Sequence, residues 1–274
     1  MVSLVPRPMQ LLEFHDEGEG CRQFSFALQS PRPGDQAVMP GQFFMLTVPG
    51  VGEAPFSYVR PPDWQGRFSA LIRKEGAMSP ALFGLEPGAR LGYRGAFGIG
   101  WPDLSGVRRV LVVAGGSGLA ALAGLIEALI RGGRQDALTL VYGARSPGHQ
   151  VLARERAQWR GALELIEILE RREDGRVGGS PLVPLQAQLA GQRPEAVLCC
   201  GPEPMMQSVA ELCLAHGMPP TAIWLSIERR LECGMGRCGR CHVGRSSACQ
   251  EGPVYRYDRY LDRLAEEQDA RRPC

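Results

Sequence analysis

Apolar and polar positions change rhythm once along the chain, near residue 100. Before it, Gln23 to Leu28 alternate and GQFFMLTV (41–48) is a short apolar run. PFSYVR (55–60), RFSALIRK (67–74) and GARLGYRGAFG (88–98) follow, with glycine and proline between them. Short runs with this punctuation predict antiparallel strands, and a set of them predicts a small β-barrel. GAMSPALFGL (76–85) is the one helix expected there, with Ser79 ahead of Pro80 as its start signal. After WPDLSG (101–106) the pattern becomes VRRVLVVA, a buried-type strand, and then apolar residues at helical spacing: Leu119, Leu122, Ala123, Ile126, Leu129 and Ile130. ALTLVYG (137–143), LELIEIL (163–169), EAVLCCG (195–201) and AIWLS (222–226) continue the strands, with a helix over 204–217. Strands alternating with helices predict a parallel sheet covered on both faces. The sheet is expected to be complete before the cysteine-rich segment, and RYLDRLAEEQDARRPC (259–274) reads as a solvated, mixed-charge end.

The fold class is therefore α/β plus all-β. An antiparallel barrel occupies 1–103, a parallel-sheet nucleotide-binding domain 104–227, and a small C-terminal cysteine domain 228–274. A length of 274 residues suits two domains and a small appendage. The net charge of +2 supplies no basic field, which argues against a nucleic-acid partner. Residues 110–130, VLVVAGGSGLAALAGLIEALI, have the length of a membrane span, but they contain Glu127 and a GGSG turn. Strand, turn and helix explain them better, so no membrane span is expected. MVSLVPRPMQ lacks the pattern of a secretory signal, and nine unevenly spaced cysteines do not form an obvious disulfide framework. A protein of the reducing cytoplasm, with cysteines committed to metal, is the expectation.

The candidate metal ligands are Cys233, Cys238, Cys241 and Cys249, spaced C-x4-C-x2-C-x7-C. The opening C-x4-C-x2-C is the spacing of plant-type [2Fe–2S] sites. Gly234, Gly236 and Gly239 let the loop turn its amides toward sulfur, which favours the more negative, reduced cluster. Structural zinc is the alternative, but it usually takes close ligand pairs at both ends, and Cys249 stands alone. His242 adjoins a ligand without being needed as one. Arg237, Arg240 and Arg245 surround the site, either raising its potential, docking an acidic partner, or lying solvated.

VVAGGSGLAAL (112–122) is strand, glycine turn and helix, suited to a pyrophosphate, although it lacks the full G-x-G-x-x-G spacing. YGARSP (142–147) and CCGPEPMM (199–206) also follow strands at the ligand-binding edge of such a sheet. Arg145 is either a phosphate contact or a surface residue. EAPFSYVR (53–60) and LIRKEGAMS (71–79) are candidate flavin contacts, with Phe56 and Tyr58 otherwise readable as ordinary barrel residues.

Together these pieces resemble the ferredoxin–NADP reductase superfamily over nearly the whole chain. Within it they resemble the iron–sulfur flavoproteins that include dihydroorotate dehydrogenase B electron-transfer subunits and the gamma subunits of cytoplasmic nickel–iron hydrogenases. The most specific part, SIERRLECGMGRCGRCHVG…CQEGPVY (226–255), is similar to the hydrogenase gamma and anaerobic sulfite reductase B versions. The resemblance implies FAD beside Ala54, Pro55, Phe56 and Ser57, lined by Leu71, Ile72 and Arg73, with amides of Met78 and Ser79 on its pyrophosphate. It implies NAD(P)H against Gly115, Gly116, Ser117 and Gly118, with Cys200, Gly201 and Pro202 near the nicotinamide and Cys200 the candidate catalytic group. Ala54, Ala96 and Ala121 depart from the arginine and prolines frequent in the superfamily.

The implied activity is electron transfer between NAD(P)H and a partner redox enzyme, in a hetero-oligomer. The resemblance makes a cytoplasmic hydrogenase the first expectation; no C-x2-C pair beyond Cys238–Cys241 remains to ligate nickel, so the active metal would lie on another chain. A dihydroorotate dehydrogenase or sulfite reductase is the alternative partner, and a zinc-bound interaction module the alternative of another class.

Overall fold

The computed structural model describes residues 4–191 and 193–270; Cys274, to which the sequence assigns no role, lies outside the described residues. The first unit consists of β1 (Arg7–Asp16), β2 (Cys21–Leu28), β3 (Phe43–Val48), β4 (Gly52–Ser57), β5 (Arg67–Arg73) and β6 (Arg90–Phe97), with the short helix α1 (Met78–Phe83) between the last two. The strands are antiparallel in the order β4-β3-β6-β1-β2-β5. A bridge between Arg60 and Ser69 brings the end of the row back to its beginning and closes the barrel. The sequence pattern did not announce β1. A register shift between Leu11 and Glu13 breaks its alternation, so Leu11 is buried while the adjacent Leu12 is exposed.

Residues of β2, β3, β5 and β6, with Tyr58 just after β4, fill the barrel with rings: Phe24, Phe26, Phe44, Phe68, Tyr58 and Tyr93 are all buried. The two phenol oxygens of Tyr58 and Tyr93 lie 2.7 Å apart and satisfy each other in the dry interior. On β5 strand alternation sends Ile72 into this core, while Leu71 packs against the second unit.

That unit contains β7 (Val110–Gly115), α2 (Leu119–Arg131), β8 (Leu138–Ala144), α3 (Ala153–Arg160), β9 (Glu164–Leu169), α4 (Leu182–Ala190), β10 (Ala196–Cys200), α5 (Glu203–Ala215) and β11 (Ile223–Ser226). Residues 110–130 form strand, turn and helix, and Glu127 accepts a hydrogen bond from the Trp159 indole at 2.8 Å. Among the described residues no helix is long and apolar enough to cross a membrane. Helices α3 and α4 leave little trace in the sequence: ARERAQWR is mostly polar, and LVPLQAQLA carries Pro184, which the first turn of a helix tolerates.

The C-terminal segment adds β12 (His242–Val243), β13 (Ser246–Ser247), α6 (Ala248–Glu251), β14 (Val254–Arg256) and α7 (Tyr257–Ala270). The second sheet is not complete at β11, as the sequence had implied. Its order is β14-β11-β10-β7-β8-β9, parallel except for β14, which pairs antiparallel through Leu225 and Tyr255. Nor is the tail from Arg259 a solvated end over its described residues, 259–270: Tyr260 and Leu264, with the preceding Tyr257, share one helical face against the core. The acidic residues of α7 hold the cysteine segment, with Glu267 accepting from the Gly244 amide and Glu266 from the Arg245 amide, each at 2.9 Å.

Candidate cofactor sites

The cysteine loop turns three times through left-handed backbone, at Gly234, Gly236 and Gly239, with φ of 71°, 68° and 71°. These are conformations that glycine adopts without strain. The turns point amides at sulfur. Met235 and Arg237 donate to Cys233 Sγ at 3.4 Å each, and Gly236 donates to Cys249 Sγ at 3.0 Å. Cys238 acts on the Cys233 thiol, and Cys241 and Cys233 both act on that of Cys249. Burial alone would raise the Cys233 thiol, but the amides of Met235, Arg237 and Cys238 bring it down to about 6. Burial pushes Cys249 up to about 12, with the Gly236 amide opposing and Cys241 reinforcing. Among the described residues no three acidic, histidine or cysteine side chains converge on a single metal position. Four thiols at this spacing, on a loop whose amides point at sulfur, fit a two-iron, two-sulfide cluster better than a structural zinc centre, which usually takes close ligand pairs at both ends. Cys238 is exposed, whereas Cys241 and Cys249 are buried.

A cleft of about 630 Å³ lies between the barrel and the second sheet. It is lined by Ala54, Pro55, Phe56 and Ser57 of β4, Leu71 and Arg73 of β5, and Met78 and Ser79 of α1. Ile72 does not line it, because the strand alternation has turned its side chain into the barrel core. Tyr58 likewise belongs to the core, while Phe56 faces the cleft. Ser79 fixes the preceding turn, its hydroxyl accepting from the Glu75 amide and donating to the Glu75 carbonyl, both at 2.6 Å. The far wall comes from Cys200 and from Ser226 to Arg229, with Leu231 and Pro253 of the cysteine unit at one end.

A second cleft, of about 520 Å³, runs along the carboxyl edge of the parallel sheet. Gly115, Gly116, Ser117 and Gly118 follow β7, Arg145 follows β8, and Gly201 and Pro202 follow β10; all line it. Glycine is required where these turns touch. A Cβ on Gly118 would stand 2.6 Å from the Cys200 carbonyl oxygen, and one on Gly201 3.0 Å from the Gly115 Cα. Gly116, with φ of 53° and nothing within 4 Å, faces open space. Cys21 also lines this cleft. Cys199 and Cys213 are buried in the core, and burial pushes both thiols up.

Arg73, Ser117, Gly118 and Glu228 line both clefts, which therefore meet. Cys200 stands in the wall of the first cleft. Burial pushes its thiol up to about 12, the Glu228 carboxylate adds to this, and a hydrogen bond with Ser226 opposes it. It is a neutral thiol, not an activated nucleophile. Burial also raises the Glu228 carboxyl, with Glu75 adding to the effect. The sequence pattern gave no sign of Glu228, which only the return of the chain after β11 brings to the junction.

Comparison with known proteins identifies matching domains and relatives. Residues 112–211 match the oxidoreductase NAD-binding domain, and residues 228–260 match the iron–sulfur cluster binding domain of dihydroorotate dehydrogenase B. The chain is 30% identical to the sulfhydrogenase 1 subunit gamma of Pyrococcus furiosus, over 91% of this chain and 90% of that protein. It is 33% identical to a probable dihydroorotate dehydrogenase B (NAD(+)) electron transfer subunit of Methanopyrus kandleri, over 93% of this chain and 92% of that one. Among solved structures, the NADH-dependent reduced ferredoxin-NADP oxidoreductase shares the fold, with a TM-score of 0.75 at 23% identity over 95% of each chain. The chain thus belongs to the iron–sulfur flavoprotein branch of the ferredoxin–NADP reductase superfamily, the branch of sulfhydrogenase gamma and dihydroorotate dehydrogenase B electron-transfer subunits.

Proposed function

We propose that this chain is the gamma-type subunit of a cytoplasmic nickel–iron hydrogenase, passing electrons between NAD(P)H and a catalytic partner chain. The observation that carries the relay is the meeting of two clefts at Arg73, Ser117, Gly118 and Glu228, with the cysteine unit closing one end of the first. Three functional units, 1–103, 104–227 and 228–274, supply the parts. In this reading FAD occupies the first cleft beside Ala54–Ser57, Leu71 and Arg73, with Met78 and Ser79 at its pyrophosphate. NAD(P)H lies along Gly115–Gly118, Arg145, Gly201 and Pro202. Cys233, Cys238, Cys241 and Cys249 hold the cluster. A bound flavin supplies the conversion between a hydride pair and single electrons, which neither neighbour performs alone.

The chain's own residues do the positioning. The glycine turns allow close approach of a pyrophosphate to backbone amides, and the neutral Cys200 thiol leaves the junction uncharged on that side. Phe43, Leu71 and Pro253 make part of the first cleft apolar and so limit water there. The whole-length similarity to a sulfhydrogenase gamma subunit supports the hydrogenase partner. A dihydroorotate dehydrogenase partner is the second reading, favoured by the domain matched at 228–260. Anaerobic purification of the intact native complex separates them. Hydrogen-dependent reduction of NAD(P)+ is the expected result, and dihydroorotate-dependent reduction without hydrogen activity would overturn the hydrogenase assignment.

A further inference from the structure

Arg94, on β6, carries a guanidinium that is among the few buried charges of the molecule. Its Nε and Nη2 donate to the Glu53 carboxylate at 2.9 and 2.5 Å. Its Nη1 and Nη2 also donate to the main-chain carbonyl of Cys233, at 3.1 and 3.2 Å. The guanidinium carbon lies 5.5 Å from the centroid of the Phe97 ring. That ring in turn packs beneath Gly234, where an added Cβ would stand 3.2 Å from it. Glu53 adjoins Ala54 in the wall of the first cleft, and Cys233 is the first thiol of the cysteine loop.

One fork of hydrogen bonds thus spans from the cleft wall to the backbone of a cluster ligand. A buried arginine–carboxylate pair is poor evidence of stabilisation, because desolvation offsets much of the attraction. Its orientation is the informative feature: the guanidinium donates to the carbonyl of the cluster loop, while the carboxylate stands in the wall of the first cleft. Groups bonded around metal ligands orient them and tune the metal, and charge is one of the quantities that set an iron–sulfur potential. Arg237 and Arg240 stand closer along the sequence but are exposed, so solvent and salt screen them. Arg94 is shielded.

We propose that Arg94, oriented by Glu53, is the positioning residue that joins the cluster loop to the flavin cleft and raises the potential of the cluster. The proposal rests on the cofactor assignment above. It adds a geometric role, holding Cys233 at a fixed distance from the cleft, and an electrostatic role whose sign can be read directly.

The test uses the full-length holoprotein, with iron, sulfide and flavin content measured first and the cluster midpoint then followed by electron paramagnetic resonance during a redox titration. Arg94→Gln removes the cation and is expected to shift the one-electron equilibrium toward the oxidised cluster by about tenfold, equivalent to about 59 mV lower. Glu53→Gln leaves the cation uncompensated and is expected to shift it the opposite way. A merely structural clamp does not predict shifts of opposite sign. Unchanged potentials in both variants, or shifts of the same sign, overturn the proposal. Should Arg94→Gln fail to retain its cluster, Glu53→Gln decides alone: an upward shift supports the proposal and no shift overturns it. A wild-type chain without iron or flavin overturns the cofactor assignment itself, and the proposal with it. A loaded wild type with unresponsive variants overturns the proposal only.

Discussion

Two glycines, one capping α2 and one inside it, are expected to respond in opposite directions to the same substitution. Gly118, at the start of α2, has φ of −58° and ψ of −19°, so alanine suits its backbone. Space is the obstacle. An added Cβ would stand 2.6 Å from the Cys200 carbonyl oxygen, 2.7 Å from its carbon and 2.8 Å from the Gly201 nitrogen. All three are backbone atoms, so no rotamer relieves the overlap and either the helix start or the turn after β10 must move. Overpacking of this kind costs about 1–3 kcal/mol, which for a domain of this size lowers the melting temperature by roughly 2–12 °C. Because both displaced turns line the second cleft, affinity for nicotinamide nucleotide falls by about tenfold, equivalent to about 1.4 kcal/mol. Gly124, inside the same helix, meets only ordinary contacts, 3.6 Å to Pro40 Cβ and 3.7 Å to the Val59 carbonyl oxygen. Gly124→Ala therefore gains about 0.5–1 kcal/mol from helix propensity. Thermal melts and nucleotide fluorescence titrations of both variants check the pair. A Gly118→Ala protein that melts and binds like wild type would refute the close approach of the two turns.

Three further outcomes follow from the same geometry. Cys249→Ser should lose cluster iron while retaining flavin, and iron analysis showing full occupancy would contradict the ligand assignment. Phe44→Ala removes a ring 4.9 Å from Tyr58 and 5.1 Å from Phe68 by centroid. It should lower unfolding free energy by about 3–5 kcal/mol in denaturant titration, and a loss below ~1 kcal/mol would show that the barrel core repacks freely. Stability should also fall at both pH extremes. Hydrogen bonds from Arg229 and Tyr260 hold the Glu203 carboxyl low, and Arg160 and Arg156 outweigh burial to do the same for Glu167. Their contribution is present above the ordinary carboxylate value and is lost as pH drops through the depressed ones. Burial pushes Tyr93 from 10.0 up to about 12, so its contribution is complete below pH 10 and disappears as pH rises toward 12. Denaturant midpoints measured across pH test both limbs, with Glu203→Gln expected to flatten the acid one.

Sequence rhythm reveals local periodicity and punctuation, and it fails where a distant partner decides the structure. RFSALIRK announces a strand, but not that Ile72 turns into the barrel core while Leu71 and Arg73 face a cleft. Alternation fixes that two faces exist, and only closure of the barrel decides which is inside. The bulge in β1 erased the alternation that would have marked it. The final helix looked solvated because its charges outnumber the residues of its buried face, Tyr257, Tyr260 and Leu264. Cysteine spacing exposed the four thiols through short-range chemistry, yet only the fold shows Cys249 returning across the loop to accept from the Gly236 amide. Glu228 and Arg94 were invisible for a related reason: each matters through residues far away in the chain, Glu228 beside Cys200 and Arg94 beside Cys233.

The most direct test of the central claim is an anaerobic reductive titration of the purified chain with NADH and with NADPH. Visible absorption and electron paramagnetic resonance would be recorded together, beside iron, sulfide and zinc analysis. The account predicts iron and labile sulfide in equal amounts, flavin bleaching on addition of nucleotide, and a reduced-cluster spin signal following it. A colourless chain carrying zinc, with no flavin, would contradict it.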